Sequence, residues 1–125
     1  MFIQHDVAGV RLNPRSLPKE IILSGEPQLA GRILSVTDDK RVARVAWRMT
    51  AGAVKMGGVN PDTSDLMYIL EGGCELRVEG QPPIVAKTGD WVETPRVDFE
   101  LHVPELLHKI SVIYNPNGLT LQTEP

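Results

Sequence analysis

The chain has little of what stabilises or marks several large classes of protein. Its one cysteine, Cys74, has no partner for an internal disulfide, which points to a reducing compartment. Histidine occurs only at positions 5, 102 and 108, and no Cys/His spacing of the zinc type is present. There is no basic excess: 13 Lys and Arg stand against 16 Asp and Glu, a net charge of -3, which excludes the electrostatic footprint of a nucleic-acid binder. No apolar run approaches the length that crosses a bilayer, and the start MFIQHDVAGVRLNPRS lacks a basic segment followed by an apolar one. The expectation is a soluble cytoplasmic protein with no membrane or nucleic-acid partner.

What is present is turn chemistry and β-branched residues. Eleven glycines and 10 prolines are spread over the 125 residues, leaving little room for a long helix. Between them lie short apolar segments at regular intervals, the pattern of an all-β sandwich or barrel. The reading predicts strands at 31–36, 42–49, 65–70, 74–78, 84–86, 91–93, 98–103, 110–114 and 119–122. Thr37-Asp38-Asp39-Lys40, Glu79-Gly80-Gln81 and Lys87-Thr88-Gly89-Asp90 are predicted turns. The first thirty residues are less regular, with an edge strand at Ile21-Ile22-Leu23 and one helical turn opened by Pro18-Lys19-Glu20. No repeat or boundary divides the chain, so 1–125 reads as a single domain.

From Gly52 to Pro104 the spacing resembles the cupin family. Gly52 is followed by five residues to Gly58, then Val59 and Asn60. Asp65 comes four residues on, and Gly72 six residues after that, closing Asp65-Leu-Met-Tyr-Ile-Leu-Glu-Gly72. A second motif runs from Gly89 through Pro95, Arg96 and Val97 to Glu100. The resemblance implies an all-β, cupin-type double-stranded β-helix, or jelly-roll barrel. Cupins hold a divalent metal with three histidines and a glutamate. The matching positions here are Gly58, Asn60, Asp65 and Glu100, with no imidazole among them. Imidazole suits transition metals, whereas carboxylate and amide oxygens suit Mg, Ca or Mn. The expectation is therefore no transition metal and no cofactor.

In Asp98-Phe-Glu-Leu-His-Val103, alternation puts Asp98, Glu100 and His102 on one face and Phe99, Leu101 and Val103 on the other. If the cupin register holds, the acidic and imidazole groups enter the barrel, with Asp65 from a neighbouring strand. A one-residue change of register would turn the apolar face inward instead. Clustered carboxylates shift their pKa values apart and supply an acid and a base, and His102 could move protons near neutral pH. Asp65, Glu100 and His102 are thus the candidate catalytic groups. Asn60, Arg48, Trp47, Met67 and Asp98 are the candidate substrate-binding groups. Asn60 reads equally as a turn residue before proline, and Asp65 equally as a strand-entry aspartate. One of Trp47 and Arg48 faces the barrel: Arg48 would suit an anion, Trp47 stacking or core packing. Lys55 and Trp91 are weaker candidates, and Cys74 reads as a small buried hydrophobe.

Residues 65–70 are apolar on both faces, which predicts a strand covered on both sides and hence a homodimer. Three functions follow from these readings: a metal-independent isomerase, dehydratase or cyclase acting on a small organic molecule; a non-catalytic sensor or carrier of a small ligand; and an oxygen-ligand metal site at Asn60, Asp65 and Glu100.

Overall fold

The computed structural model describes residues 1–57 and 62–120. Eight strands occur among them: β1 Asn13–Arg15, β2 Ile22–Gly25, β3 Leu29–Val36, β4 Val42–Met56, β5 Ser64–Arg77, β6 Ile84–Lys87, β7 Trp91–Glu93 and β8 Phe99–Tyr114. Two single 3-10 turns, Val7–Gly9 and Lys19–Ile21, are the only helical elements among these residues. The second begins directly after Pro18, as the sequence predicts. Among the described residues no helix is long and apolar enough to cross a membrane.

All pairings are antiparallel, in the order β1-β3-β4-β8-β5-β6, with β2 added on β4 and β7 on β5. The long strands change partners midway. β4 pairs with β3 over its first half and with β2 over its second; β5 pairs first with β7 and then with β6. Register shifts mark the change of direction, between Thr50 and Gly52 on β4 and between Ile69 and Glu75 on β5. On β8 the same place is taken by Pro104 and Glu105, both exposed. Proline has no amide to donate, so a bulge is where a long strand tolerates it. The two halves close on one core: Met49, Met67, Ile69 and Leu107 from the first pack with Val54, Leu76, Phe99 and Leu101 from the second. This is a jelly-roll arrangement whose terminal strands β1 and β6 are not paired with each other.

The three predicted turns form. Lys40 takes φ 59°, Gly80 φ 80° and Gly89 φ 92°, so each chain reversal uses a left-handed residue at its close. The predicted breaks at 71–73 and 104–109 do not form, and each pair of short predicted strands is one continuous strand, β5 or β8. The predicted strand at 119–122 is not seen at residues 119–120, where Leu119 donates to the Lys40 carbonyl at 2.7 Å, and its remainder lies outside the described residues.

Residues 65–70 are covered on one face only. Met67 and Ile69 are in the core, while Leu66 is 42% exposed and Tyr68 packs its ring on Trp91, itself 61% exposed, with centroids 4.8 Å apart. Among the described residues, nothing buries Leu66 and Trp91 on that second face.

Candidate functional site

Two groups of polar side chains stand out, one at the end of the second half of the sheet and one in the interior of the first. The first group is set by the register of β8. Leu101 lies between Val54 of β4 and Leu76 of β5, all three buried, and Phe99 and Val103 follow it into the core. Each apolar side chain of this kind gains about 1.5–3 kcal/mol on burial, so three of them outweigh any benefit of turning Glu100 and His102 inward. This corrects the expectation that the acidic and imidazole groups of 98–103 fill the barrel. Glu100 and His102 stand on the opposite face, 43% and 25% exposed in their side chains.

On that face Glu100 sits between Lys55 and Arg77, and His102 between Ala53 and Glu75. His102 Nε2 lies 2.8 Å from Glu100 Oε1. A carboxylate oxygen only accepts, so toward ionised Glu100 the imidazole nitrogen is the donor. Arg77 is held by two bonds to Glu75, at 3.2 and 3.3 Å. Beside this ladder opens a cleft of about 850 Å³, lined by Lys55, Arg77, Asp98 and Glu100 on its polar side and by Met56 and Phe99 on its apolar side. Asp98 is exposed at its rim.

The second group is interior. Asp65, at the start of β5, points inward as its motif position implies. Its partner is Lys109 of β8, with Nζ 3.6 Å from Asp65 Oδ2. Lys109 is 6% exposed, donates to Ser111 Oγ at 2.9 Å and sits 4.8 Å from the Trp47 ring centroid. Asp65 Oδ1 is buried and has no hydrogen-bond partner. Burial pushes the nearby Cys74 thiol up to about 11, against the pull of the Lys109 charge, so at neutral pH the thiol is protonated and unreactive.

The structure thus brings together Asp98, Glu100 and His102, and separately Asp65 and Trp47. It does not pair Asp65 with Glu100: Asp65 lies opposite Ile113 near the end of β8, whereas Glu100 is at the start of β8. Met67 is core, 1% exposed, opposite Ser111. Of the two residues ending the predicted strand, Trp47 faces inward and Arg48 faces out, exposed beside His108. Asn60 lies outside the described residues. Lys109 is absent from the sequence-based candidates because the predicted strand began at Ile110; Ser111 lies inside that strand but is not among them. Carried back three residues, alternation would have put Leu107, Lys109 and Ser111 on one face.

Among the described residues the donor set does not fit a metal. Asp65 faces an ammonium, Glu100 is engaged by His102, and no group of three or more His, Cys, Asp or Glu side chains converges among the described residues.

On the outer face of the first half, His108 is buried between Arg48 and Glu71, with Nε2 unpartnered. Burial first, and then the Arg48 charge, lower its pKa below 6.5, while Glu71 opposes them. The unfolded chain therefore takes up a proton near pH 6.5 that the folded chain resists. Stability is complete above that pH and falls below it, until the folded pKa is reached. A His108→Gln variant, with no titrating ring, is expected to lose less stability than the parent between pH 7.5 and 5 in parallel denaturation curves. Equal slopes would contradict this account.

No protein-family model matches the chain, and no curated protein does. Solved structures do. The EutQ protein of Clostridium difficile superposes with a TM-score of 0.67 at 14% identity, over 88% of this chain and 84% of that one. Ectoine synthase from P. lautus gives 0.65 at 16%, over 96% and 80%. The cupin domain of an XRE-family transcriptional regulator from Enterobacter cloacae gives 0.59 at 10%, over 70% and 97%. At these identities the likeness concerns the fold, and the fold of this chain is that of the cupins.

Proposed function

We propose that the protein binds a small organic molecule in the cleft beside Glu100 and moves a proton on it without a metal, as an isomerase, dehydratase or cyclase does. The observation that carries this reading is the 2.8 Å contact of His102 Nε2 with Glu100 Oε1 at the edge of the cleft. Glu100 faces the ligand as the base. His102, behind it, orients the carboxylate and shares its proton. Lys55 and Arg77 flank the carboxylate and suit an anionic substituent, and Met56 and Phe99 supply an apolar wall. Ectoine synthase, an enzyme, and the domain of a transcriptional regulator share this fold, so fold alone does not choose between turnover and sensing. The hydrogen-bonded carboxylate and imidazole at the cleft have the geometry of an acid–base pair, which supports turnover. The reading extends to a homodimer in which a second copy covers Leu66, Tyr68 and Trp91.

Glu100→Gln keeps the shape and removes the charge. With Glu100 nearly half exposed, the melt is expected to move by no more than about 1 kcal/mol equivalent. A ligand found by thermal-shift screening of small acids, sugars and aromatic compounds is expected to lose turnover, or binding if the protein is a sensor. Unimpaired turnover and binding in the variant would remove the site from Glu100.

A further inference from the structure

The cleft beside Glu100 carries more charge than an acid–base pair needs, and the signs are sorted. Its cations are Lys55 and Arg77, and its carboxylates are Glu79, Asp98 and Glu100. Two of these groups are already engaged. Arg77 is held by both oxygens of Glu75, and Glu100 accepts from His102 at 2.8 Å. Lys55, Glu79 and Asp98 are exposed, and none of them makes an ion pair among the described residues. Lys55 stands across from Glu100 on β4 yet does not pair with it. Asp98 comes two residues before Glu100, which sets it about 7 Å along the chain from the level of Lys55. Glu79 comes two residues after Arg77, itself opposite Glu100, at the turn that follows β5. The unengaged positive charge is therefore level with Glu100, and the two unengaged negative charges lie one step further out. Met56 and Phe99 wall the same cleft with apolar surface.

We propose that the ligand of this cleft is a linear aliphatic amino acid with its ammonium and its carboxylate at opposite ends, an inference that rests on the reading of the cleft given above. The carboxylate pairs with Lys55, the ammonium with Asp98 and Glu79, and the stem lies along Met56 and Phe99. A spacing of about 7 Å between the two charge sites is spanned by roughly five methylenes. A simple acid would satisfy Lys55 and leave both carboxylates without a counter-ion. A simple amine would satisfy the carboxylates and leave Lys55 without one. Each forfeits a charge-assisted hydrogen bond that the zwitterion makes, and an uncharged sugar or aromatic compound forfeits both. The cleft volume of about 850 Å³ accommodates such a chain. The sorted signs also set its direction, with the carboxylate end nearer Glu100.

The test is calorimetric titration of the whole protein at neutral pH with 6-aminohexanoate, hexanoate and hexylamine, which share one carbon skeleton. The expected result is that 6-aminohexanoate binds at least about tenfold more tightly than either of the others. Lys55→Met is expected to bring its affinity down to that of hexylamine and to leave hexylamine unchanged. Glu79→Gln and Asp98→Asn combined are expected to bring it down to that of hexanoate without weakening hexanoate. All three positions are exposed, so neither variant disturbs the core. Hexanoate or hexylamine bound as tightly as 6-aminohexanoate, no binding of 6-aminohexanoate up to about 10 mM, or undiminished binding in either variant would overturn the proposal. The cleft itself is tested separately, by the effect of Glu100→Gln on a ligand found by screening, so the two readings can fail independently.

Discussion

Gly72→Ala is expected to abolish folding or to destabilise the protein by more than about 4 kcal/mol, out of all proportion to one methyl group. Gly72 has φ +84°, a left-handed conformation that costs an alanine about 1–2 kcal/mol by itself. The larger part is steric: a Cβ at this position runs into the carbonyl oxygen and carbon of Leu106. Neither side can yield easily. Gly72 pairs with Leu107 across the change of register, and its own carbonyl accepts from the Thr88 amide at 3.1 Å and the Thr88 hydroxyl at 3.2 Å. Gly80→Ala is the control. Gly80 has φ +80° but nothing within 4 Å of the added atom, so only the conformational cost applies, about 1–2 kcal/mol. Denaturation midpoints of the two variants should differ sharply. Similar midpoints would mean that β5 and β8 are less closely apposed than described.

Lys109→Met is the second large effect, expected at about 3 kcal/mol. The substitution retains an unbranched apolar side chain, so little packing is lost. What is lost is the only cation facing Asp65 among the described ion pairs, leaving a carboxylate with one oxygen already unpartnered. Because the Asp65 side chain is still 26% exposed, the cost falls at the lower end for a broken buried pair. Adding Asp65→Leu should recover most of the loss, since an apolar pair replaces an ionic one without stranding a charge. The double-mutant cycle should show coupling of about 2 kcal/mol. If the double variant is as unstable as the single one, the penalty is one of packing and the ion pair is worth little.

Much of this fold is legible in the sequence because strand and turn signals are local. β-branched runs locate β3, β6 and β7 nearly to the residue, and the turns closed by Lys40, Gly80 and Gly89 form where expected. The strands that were read as broken are those whose continuity depends on distant partners. Gly72-Gly73 and Pro104-Glu105 look like loops, yet they are the points where β5 and β8 bend together from one half of the sheet to the other. The site divides in the same way. Asp65 is found from motif spacing and does point inward, but its partner Lys109 lies on β8, and nothing local connects them. At 98–103 alternation gave two faces without saying which was inside. The apolar one is, because Val54 and Leu76 supply a matching row on both neighbours.

The place of β8 between β4 and β5 also governs how the molecule must assemble. β4 and β5 do not pair with each other; each is joined along nearly its whole length to β8, the last of the described strands in chain order. Hairpins such as β3–β4 and β5–β6 can close early, since their ends are near in sequence. Neither can bury its inner face until β8 arrives to insert between them. Most of the loop-closure entropy is therefore spent in one late, non-local event, which makes for slow folding and a nascent chain with two long strand edges waiting for the same partner.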